Sequence, residues 1–360
     1  MKRDRPASGP ADLVREEILA LKAYHVAPAS GMVKLDAMEN PYRLPEPLRE
    51  EVGRAVAALA INRYPDPEAP ELKARLRESF AIPADAGLLI GNGSDEIIAI
   101  LAQTLARPGA VMLAPEPSFA MYRMNALYTR MSYVGVPLER DFQLDAGRFL
   151  DAIATHRPAL TFIAYPNNPT GNLFPADAVA RIVEASPGFV VLDEAYHVFA
   201  RQTFMGRLAE FPNLMVMRTV SKLGLAGVRL GYAVAAPEWI REFDKVRPPY
   251  NVSVLTQFVA ERVLAHAGTL ESQAARIRAE RDALFEALSD LRGVAAFPSD
   301  ANFILVRVAD ADAVNARLKA RKILVRNFHG SHPLLANCLR LTVGTPGENE
   351  LLLDALTASL

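Results

Sequence analysis

The sequence predicts an α/β protein: a wound, mostly parallel sheet forming a large domain, with a smaller α/β domain after it. Three observations lead there. A chain of 360 residues with 51% hydrophobic content is long enough for two cores, at roughly 150 residues per domain. From Leu88 onward, short apolar runs alternate with helical spacing. After about residue 250 that rhythm changes, and Arg247-Pro248-Pro249-Tyr250 marks the boundary best, because paired prolines stop a helix.

The elements follow in order. The first ten residues carry Pro, Gly and charge and are expected to form a loose arm. Apolar runs at Ala110 to Ala114, Ala159 to Ala164, Phe189 to Leu192, Leu214 to Met217 and Leu230 to Ala235 are short and bounded by turn residues, so they read as buried parallel strands. Between them lies helical spacing, as at Ile97, Ile98, Leu101 and Leu105. Beyond the boundary a helical stretch runs from about Ser253 to Leu291, with a break expected at Gly268. Strand-like runs follow at Phe303 to Val308, Ile323 to Val325 and Leu339 to Val343, and a last helix starts near Gly347-Glu348.

Charge and composition narrow the function. Lys plus Arg is 40 and Asp plus Glu is 41, a net charge of −1 that disfavours a phosphate-backbone binder. No apolar run reaches the length of a membrane-spanning helix. Met1-Lys2-Arg3-Asp4-Arg5-Pro6 has no apolar stretch behind it, so no secretory signal is expected, and a cytoplasmic location is. The single Cys338 excludes an intrachain disulfide framework and a multi-cysteine metal site.

The residues that could carry chemistry cluster at strand ends. Gly91-Asn92-Gly93-Ser94-Asp95-Glu96 leaves a strand and opens a helix, with Ser94 placed to cap it. This is either a seat for a phosphate or an ordinary strand–turn–helix junction. Tyr165-Pro166-Asn167-Asn168-Pro169-Thr170-Gly171 is stiff enough to hold an amide against a ligand. Asp193-Glu194-Ala195-Tyr196 ends a buried strand, where a carboxylate needs a cation: a metal, for which no ligand cluster accompanies it, or a protonated heterocyclic nitrogen. His197 is expected to point elsewhere. Thr219-Val220-Ser221-Lys222 ends the next strand and Arg229 follows, so Lys222 in a dry cleft would be a nucleophile for carbonyls, with Ser221 and Arg229 near a phosphate. Together these are the groups pyridoxal phosphate requires: an amine for the Schiff base, an acid for the pyridinium and donors for the phosphate.

In this setting the sequence resembles the fold-type I, aspartate-aminotransferase-like pyridoxal-phosphate enzymes, and more closely the histidinol-phosphate aminotransferases. The resemblance runs from Tyr24 to Thr345. It is carried by Leu35-Asp36-Ala37-Met38-Glu39-Asn40-Pro41-Tyr42, Arg63-Tyr64-Pro65-Asp66, the glycine turn, Pro117-Ser118-Phe119-Ala120-Met121-Tyr122, the Asn-Asn-Pro-Thr-Gly loop, Asp193 to Tyr196, Ser221-Lys222, and Cys338-Leu339-Arg340-Leu341-Thr342-Val343-Gly344-Thr345, in family order. It implies residues 1–40 as an N-terminal arm and part of the small domain, 41–250 as the large cofactor-binding domain and 251–360 as the small C-terminal domain.

The resemblance also implies roles. Lys222 would form the Schiff base, Asp193 would pair with the pyridinium, Tyr196 and Asn168 would donate to the phenolic oxygen, and Phe119 would stack on the ring. Ser94, Asp95, Thr219, Ser221 and Arg229 would surround the phosphate. Tyr64 would reach the phosphate of a neighbouring subunit, making a homodimer with shared sites. Arg340 would take the substrate carboxylate, with Arg326 and Tyr24 near the substrate phosphate; Asn168 would face both cofactor and substrate. The implied substrates are L-histidinol phosphate and 2-oxoglutarate. From the residues alone, Phe119 could equally be core, Tyr64 a packed turn and Arg340 a solvent-facing strand residue, while Asn251 either lines the pocket or caps the helix that follows. One departure stands out: many relatives have one more residue between the lysine and Gly224-Leu225-Ala226-Gly227, which could displace Arg229.

Alternatives remain. An aromatic amino-acid aminotransferase or a phosphoamino-acid decarboxylase would use the same motifs. A plain nucleotide-binding protein would need a third glycine that Gly91-Asn92-Gly93 lacks, and a non-catalytic regulator would need a DNA-binding extension for which the roughly 40 residues ahead of the core leave little room.

Overall fold

The computed structural model describes residues 9–23 and 27–360. Its strands are β1 (Val33–Leu35), β2 (Gly87–Gly91), β3 (Val111–Glu116), β4 (Ser132–Pro137), β5 (Leu160–Ala164), β6 (Phe189–Asp193), β7 (Leu214–Thr219), β8 (Gly231–Ala235), β9 (Ala295–Ala296), β10 (Phe303–Arg307), β11 (Ile323–Asn327) and β12 (Cys338–Thr342). Seven of them form one sheet in the order β2-β8-β7-β6-β5-β3-β4; the other five form a second sheet, β1-β11-β12-β10-β9.

The large sheet is parallel from β4 through β7. Its strands β5 to β8 are buried at every position, as continuous apolar runs covered on both faces require. β8 corrects the expectation of parallel strands throughout, because it runs antiparallel to both β7 and β2. The cause is the connection. Residues 220–230 make two short helical turns, Ser221–Leu225 and Ala226–Val228, too few to cross over the sheet and re-enter parallel. Order 5-3 and 7-8-2 around a parallel centre leaves the carboxyl ends of β5, β6 and β7 facing one cleft.

The expected long helix divides at Ala265 and His266, into Val254–Leu264 and Ala267–Asp290. Gly268 therefore lies in the first turn of the second helix rather than at the break. That second helix spans 24 residues and packs against both sheets' territory: Leu270 belongs to the core of the large sheet, Ile277, Leu284 and Leu288 to the core of the small one. Ser253, not Asn251, caps the preceding helix by accepting from Thr256 N. β1 joins the small sheet by pairing with β11, so residues close to the N-terminus complete a sheet built mainly from the C-terminal third. Among the described residues no helix is long and apolar enough to cross a membrane.

Candidate active site

The turn after β2 is shaped by close approaches. Gly93 has φ +79°, and a Cβ there would meet Arg229 Nη2 at 2.5 Å; a Cβ on Gly231 would meet the Gly93 carbonyl carbon at 2.5 Å. Glycine at both positions lets β8 pass beneath the turn while the Arg229 guanidinium lies against it. Gly93 is the N-cap, so Ser94 is the first helical residue rather than the cap expected from sequence. A turn needing positive φ takes glycine at that position, and Ser94 with Asp95 is left to face the cleft.

That cleft is partly open to solvent. Ser94, Asp95, Phe119, Asn168, Asp193, Tyr196, Thr219, Ser221, Lys222 and Arg229 all line it, joined by Met38, Ala164 and Ala195. Thr219 Oγ1 donates to Ser221 Oγ at 2.9 Å, and Arg229 Nη1 to the same oxygen at 3.4 Å. Arg229 also faces Asp95 Oδ2 at 3.4 Å, an exposed pair of little energetic weight. The short connection after Lys222 is accommodated by Gly224, at φ 129°, and Arg229 still reaches the cleft.

Two ionisable groups are displaced toward one another. Burial raises the Asp193 carboxyl to about 6, against hydrogen bonds from Tyr122 Oη to Oδ2 (2.7 Å) and Ala195 N to Oδ1 (3.1 Å), which lower it. Burial lowers the Lys222 amine to about 8, assisted by the Arg340 guanidinium. Lys222 Nζ donates to the Ala37 carbonyl at 3.0 Å. The neighbouring Glu194 turns to the opposite side of β6, where it accepts from Arg218 Nη2 (2.8 Å), Thr203 Oγ1 (2.7 Å) and Phe204 N (2.7 Å). His197, beside it, lies outside the cleft, held by its Nδ1 to the Glu194 carbonyl at 3.1 Å.

The opposite wall comes from the small sheet. Arg340 on β12 is only 5% exposed, which excludes the solvent-facing reading. Its Nη1 donates to Asn168 Oδ1 (2.6 Å) and Nη2 to the Asp36 carbonyl (2.9 Å), and its guanidinium lies 5.2 Å from the ring centroids of Phe303 and Phe328. Asn168 Nδ2 in turn donates to Tyr196 Oη at 3.2 Å. Arg326 pairs with Arg340 in register across β11 and β12, and both line a second, more apolar hollow with Met121, Met124, Tyr128 and Phe328.

One of the expected site residues stands apart. Tyr64 is 80% exposed and stacks on Tyr250 at 4.4 Å, outside this chain's own cleft. Tyr24 lies outside the described residues. Asn251 donates to Glu96 Oε2 at 2.6 Å and so braces the helix that begins at Ser94; it neither caps a helix nor lines the cleft.

Sequence reasoning gave no role to Tyr122, Met38 or Asn40. Met38 holds φ 54°, and its sulfur faces Tyr196 Oη at 3.6 Å. Asn40 Nδ2 bridges the Leu223 carbonyl (3.0 Å) and Gln273 Oε1 (2.9 Å), clamping the lysine turn to the long helix. All three residues sit inside motifs quoted for the resemblance, but their contacts join segments distant in sequence.

Known proteins resemble this chain over nearly its whole length. The family model for aminotransferase class I and II matches residues 30–356. The chain is 57% identical over 344 residues to a histidinol-phosphate aminotransferase of Chromobacterium violaceum, covering 96% of this chain and 97% of that protein. It is 55% identical over 353 residues to histidinol-phosphate aminotransferase 1 of Ralstonia nicotianae, covering 97% and 94%. The chain belongs to the class I and II aminotransferases, in the histidinol-phosphate aminotransferase family. Among solved structures, the Sinorhizobium meliloti histidinol-phosphate aminotransferase in complex with pyridoxal-5'-phosphate superposes with TM-score 0.85 at 27% identity, covering 96% of each chain.

Aminotransferases of this family depend on pyridoxal phosphate, and the cleft fits that group. A buried acid, an amine of depressed basicity and a helix start carrying Ser94 and Asp95 line it together, and glycine at 93 and 231 lets the Arg229 guanidinium lie against that turn.

Proposed function

We propose that this aminotransferase converts L-histidinol phosphate and 2-oxoglutarate to imidazole acetol phosphate and L-glutamate, reversibly, as a cytoplasmic homodimer. The observation that carries the reading is the convergence on one cleft of Lys222, Asp193 and the Gly93–Ser94 turn with Arg340 held opposite them.

Pyridoxal phosphate, when bound, supplies an aldehyde that condenses with amines and a ring that withdraws electrons from the amine-bearing carbon. Asp193 would hold the ring nitrogen and Lys222 the aldehyde. Asn168 and Tyr196 would stand at the phenolic oxygen, Phe119 at the ring face, and Ser94, Asp95, Thr219, Ser221 and Arg229 around the phosphate. The Lys222 amine, at about 8, is close enough to neutral at working pH to take the proton from the substrate's amine-bearing carbon at Nζ and to return one afterwards. Arg340 offers two parallel N–H donors to a carboxylate, a planar recognition that lysine cannot reproduce. In the histidinol phosphate half-reaction the substrate has no carboxylate, and Arg340 with Arg326 would meet its phosphate instead. Tyr64, exposed and stacked on Tyr250, would enter the cleft of a second copy.

The test is a half-reaction. Purified holoenzyme without oxoacid is mixed with L-histidinol phosphate and separately with L-phenylalanine, and the visible absorption is followed. Rapid bleaching with histidinol phosphate and slow bleaching with phenylalanine is the expected result. The reverse order moves the assignment to aromatic transamination, and absence of a visible band after added pyridoxal phosphate removes the enzyme reading.

A further inference from the structure

Asp193 does not stand alone at the tip of β6. Tyr122, with no exposed surface, points its hydroxyl at Oδ2 from 2.7 Å. Its ring is fixed on two sides, stacked on Phe162 at 4.5 Å and 6° and meeting Phe119 edge-on at 5.6 Å and 85°. Tyr122 lies on the helix Ala120–Thr129, whose N-cap is Phe119, so one turn of helix joins the aromatic wall of the cleft to its acid.

The direction of this contact is set by chemistry. Burial and the carboxylates of Asp95 and Glu194 all favour the protonated form of Asp193; the donors that oppose them are Tyr122 Oη and Ala195 N. Burial also keeps the Tyr122 phenol protonated far above its ordinary range, so at Oδ2 it donates throughout the working pH range. An acid facing a pyridine nitrogen shares one proton with it. A donor to either oxygen of the acid stabilises the carboxylate and so leaves that proton on the nitrogen.

We propose that Tyr122 is a positioning residue that keeps the shared proton on the cofactor's ring nitrogen by holding Asp193 as the anion through a hydrogen bond at Oδ2. The inference rests on the cofactor reading of the cleft. It adds a determinant of electron withdrawal that does not touch the cofactor.

The test is Tyr122→Phe, which removes one oxygen and keeps the stacked ring. Holoenzyme loaded with ring-¹⁵N pyridoxal phosphate is examined by ¹⁵N NMR, and its visible absorption is titrated with pH. The expected result is a nitrogen resonance displaced from the pyridinium toward the neutral pyridine position, a visible titration moved up by about one pH unit, and a half-reaction slowed about tenfold. Site-specific 3-fluorotyrosine at position 122, a stronger donor that preserves the fold, should move the visible titration the opposite way. An unchanged resonance and unchanged titration in both variants overturn the proposal even where activity falls, since a purely structural role would lower activity without moving either signal. Wild-type protein that forms no visible complex overturns the cofactor reading itself, and the inference with it.

Discussion

The two walls of the active-site cleft are built by different means. The wall proposed to hold the cofactor is drawn from turns at the ends of strands of one sheet: Ser94 after β2, Asn168 after β5, Asp193 at the end of β6, and Thr219, Ser221 and Lys222 at β7. Each side chain is within a few residues of a hydrogen-bonded strand, so its position is inherited from the sheet. The wall proposed to meet the substrate is assembled from Arg340 and Arg326 of the small sheet, the strap of residues 36–40, and apolar groups from residues 18–23, 118–128 and 328. No single sheet fixes these. Under the proposed function, the difference separates what must stay constant, the chemistry at the amine-bearing carbon, from what must adapt to two substrates of unlike shape.

The largest expected effect sharpens that contrast. Lys222→Ala should reduce the half-reaction by about 10⁴-fold or more, because base and covalent partner are lost together. Single-turnover absorbance with L-histidinol phosphate measures it, and retention of more than a few per cent of wild-type rate would show that another group moves the proton.

Arg340→Ala should act on the other wall. It leaves Asn168 Oδ1 and the Asp36 carbonyl without their donors and removes the anion grip, so KM for glutamate should rise roughly 100-fold, equivalent to about 3 kcal/mol. The cofactor's visible absorption should persist. The walls are nevertheless electrically coupled. Arg340 is the largest charge holding the Lys222 amine down, so in the apoprotein of this variant Lys222 should titrate above about 8 and react more slowly with amine reagents at pH 8. Equal damage to kcat and KM would break the division between the walls.

The sequence reading followed the same division. Strand-end motifs such as Asp193 to Tyr196 are contiguous, and each carries a constrained backbone and a group whose chemistry suggests a partner, so the residues that line the cleft could be read from sequence. Tyr122, Asn40 and Met38 act through contacts to residues 71, 183 and 158 positions away, and nothing local distinguishes them from core residues. For Arg340, on the alternating Leu339-Arg340-Leu341, periodicity alone leaves a solvent-facing position open; it is buried because Phe303, Phe328, Asn168 and the Asp36 carbonyl surround its guanidinium. The antiparallel return of β8 was missed because an apolar run has no direction; only the length of the connection from β7 reveals it.

A smaller effect falls on stability of the apoprotein. Asp193 keeps its proton in the folded chain up to about pH 6, against 3.8 when unfolded, so the folded state binds more protons across that window and loses stability as pH rises through it. At pH 7 the ionised, buried carboxylate costs about 3 kcal/mol. Asp193→Asn should therefore raise the melting temperature of the apoprotein by a few degrees at pH 7 to 8, with the gain shrinking as pH falls toward 4. In the presence of pyridoxal phosphate the order should invert, since only wild type gains the ion pair. A variant less stable than wild type at every pH would show that the carboxylate is already compensated without the cofactor.

The smallest effect belongs to Met38, where the walls meet. Its left-handed φ of 54° is imposed from both sides of the peptide: its N–H donates to Thr342 Oγ1 at 3.1 Å and its carbonyl accepts from Asn302 Nδ2 at 3.0 Å. For a long side chain that conformation costs about 1–2 kcal/mol, and it persists because the surroundings over-determine it. Met38→Gly should recover that strain but forfeit about 2–3 kcal/mol of apolar burial, leaving a net loss near 1 kcal/mol by denaturant melting. Removing the thioether also takes away the group facing Tyr196 Oη and joins the cleft to the apolar hollow, since Met38 lines both. The expected kinetic result is a KM several-fold higher for histidinol phosphate, with kcat and the cofactor spectrum little changed. A kcat loss comparable to that of Tyr122→Phe would instead place Met38 on the cofactor wall and move the line between the two.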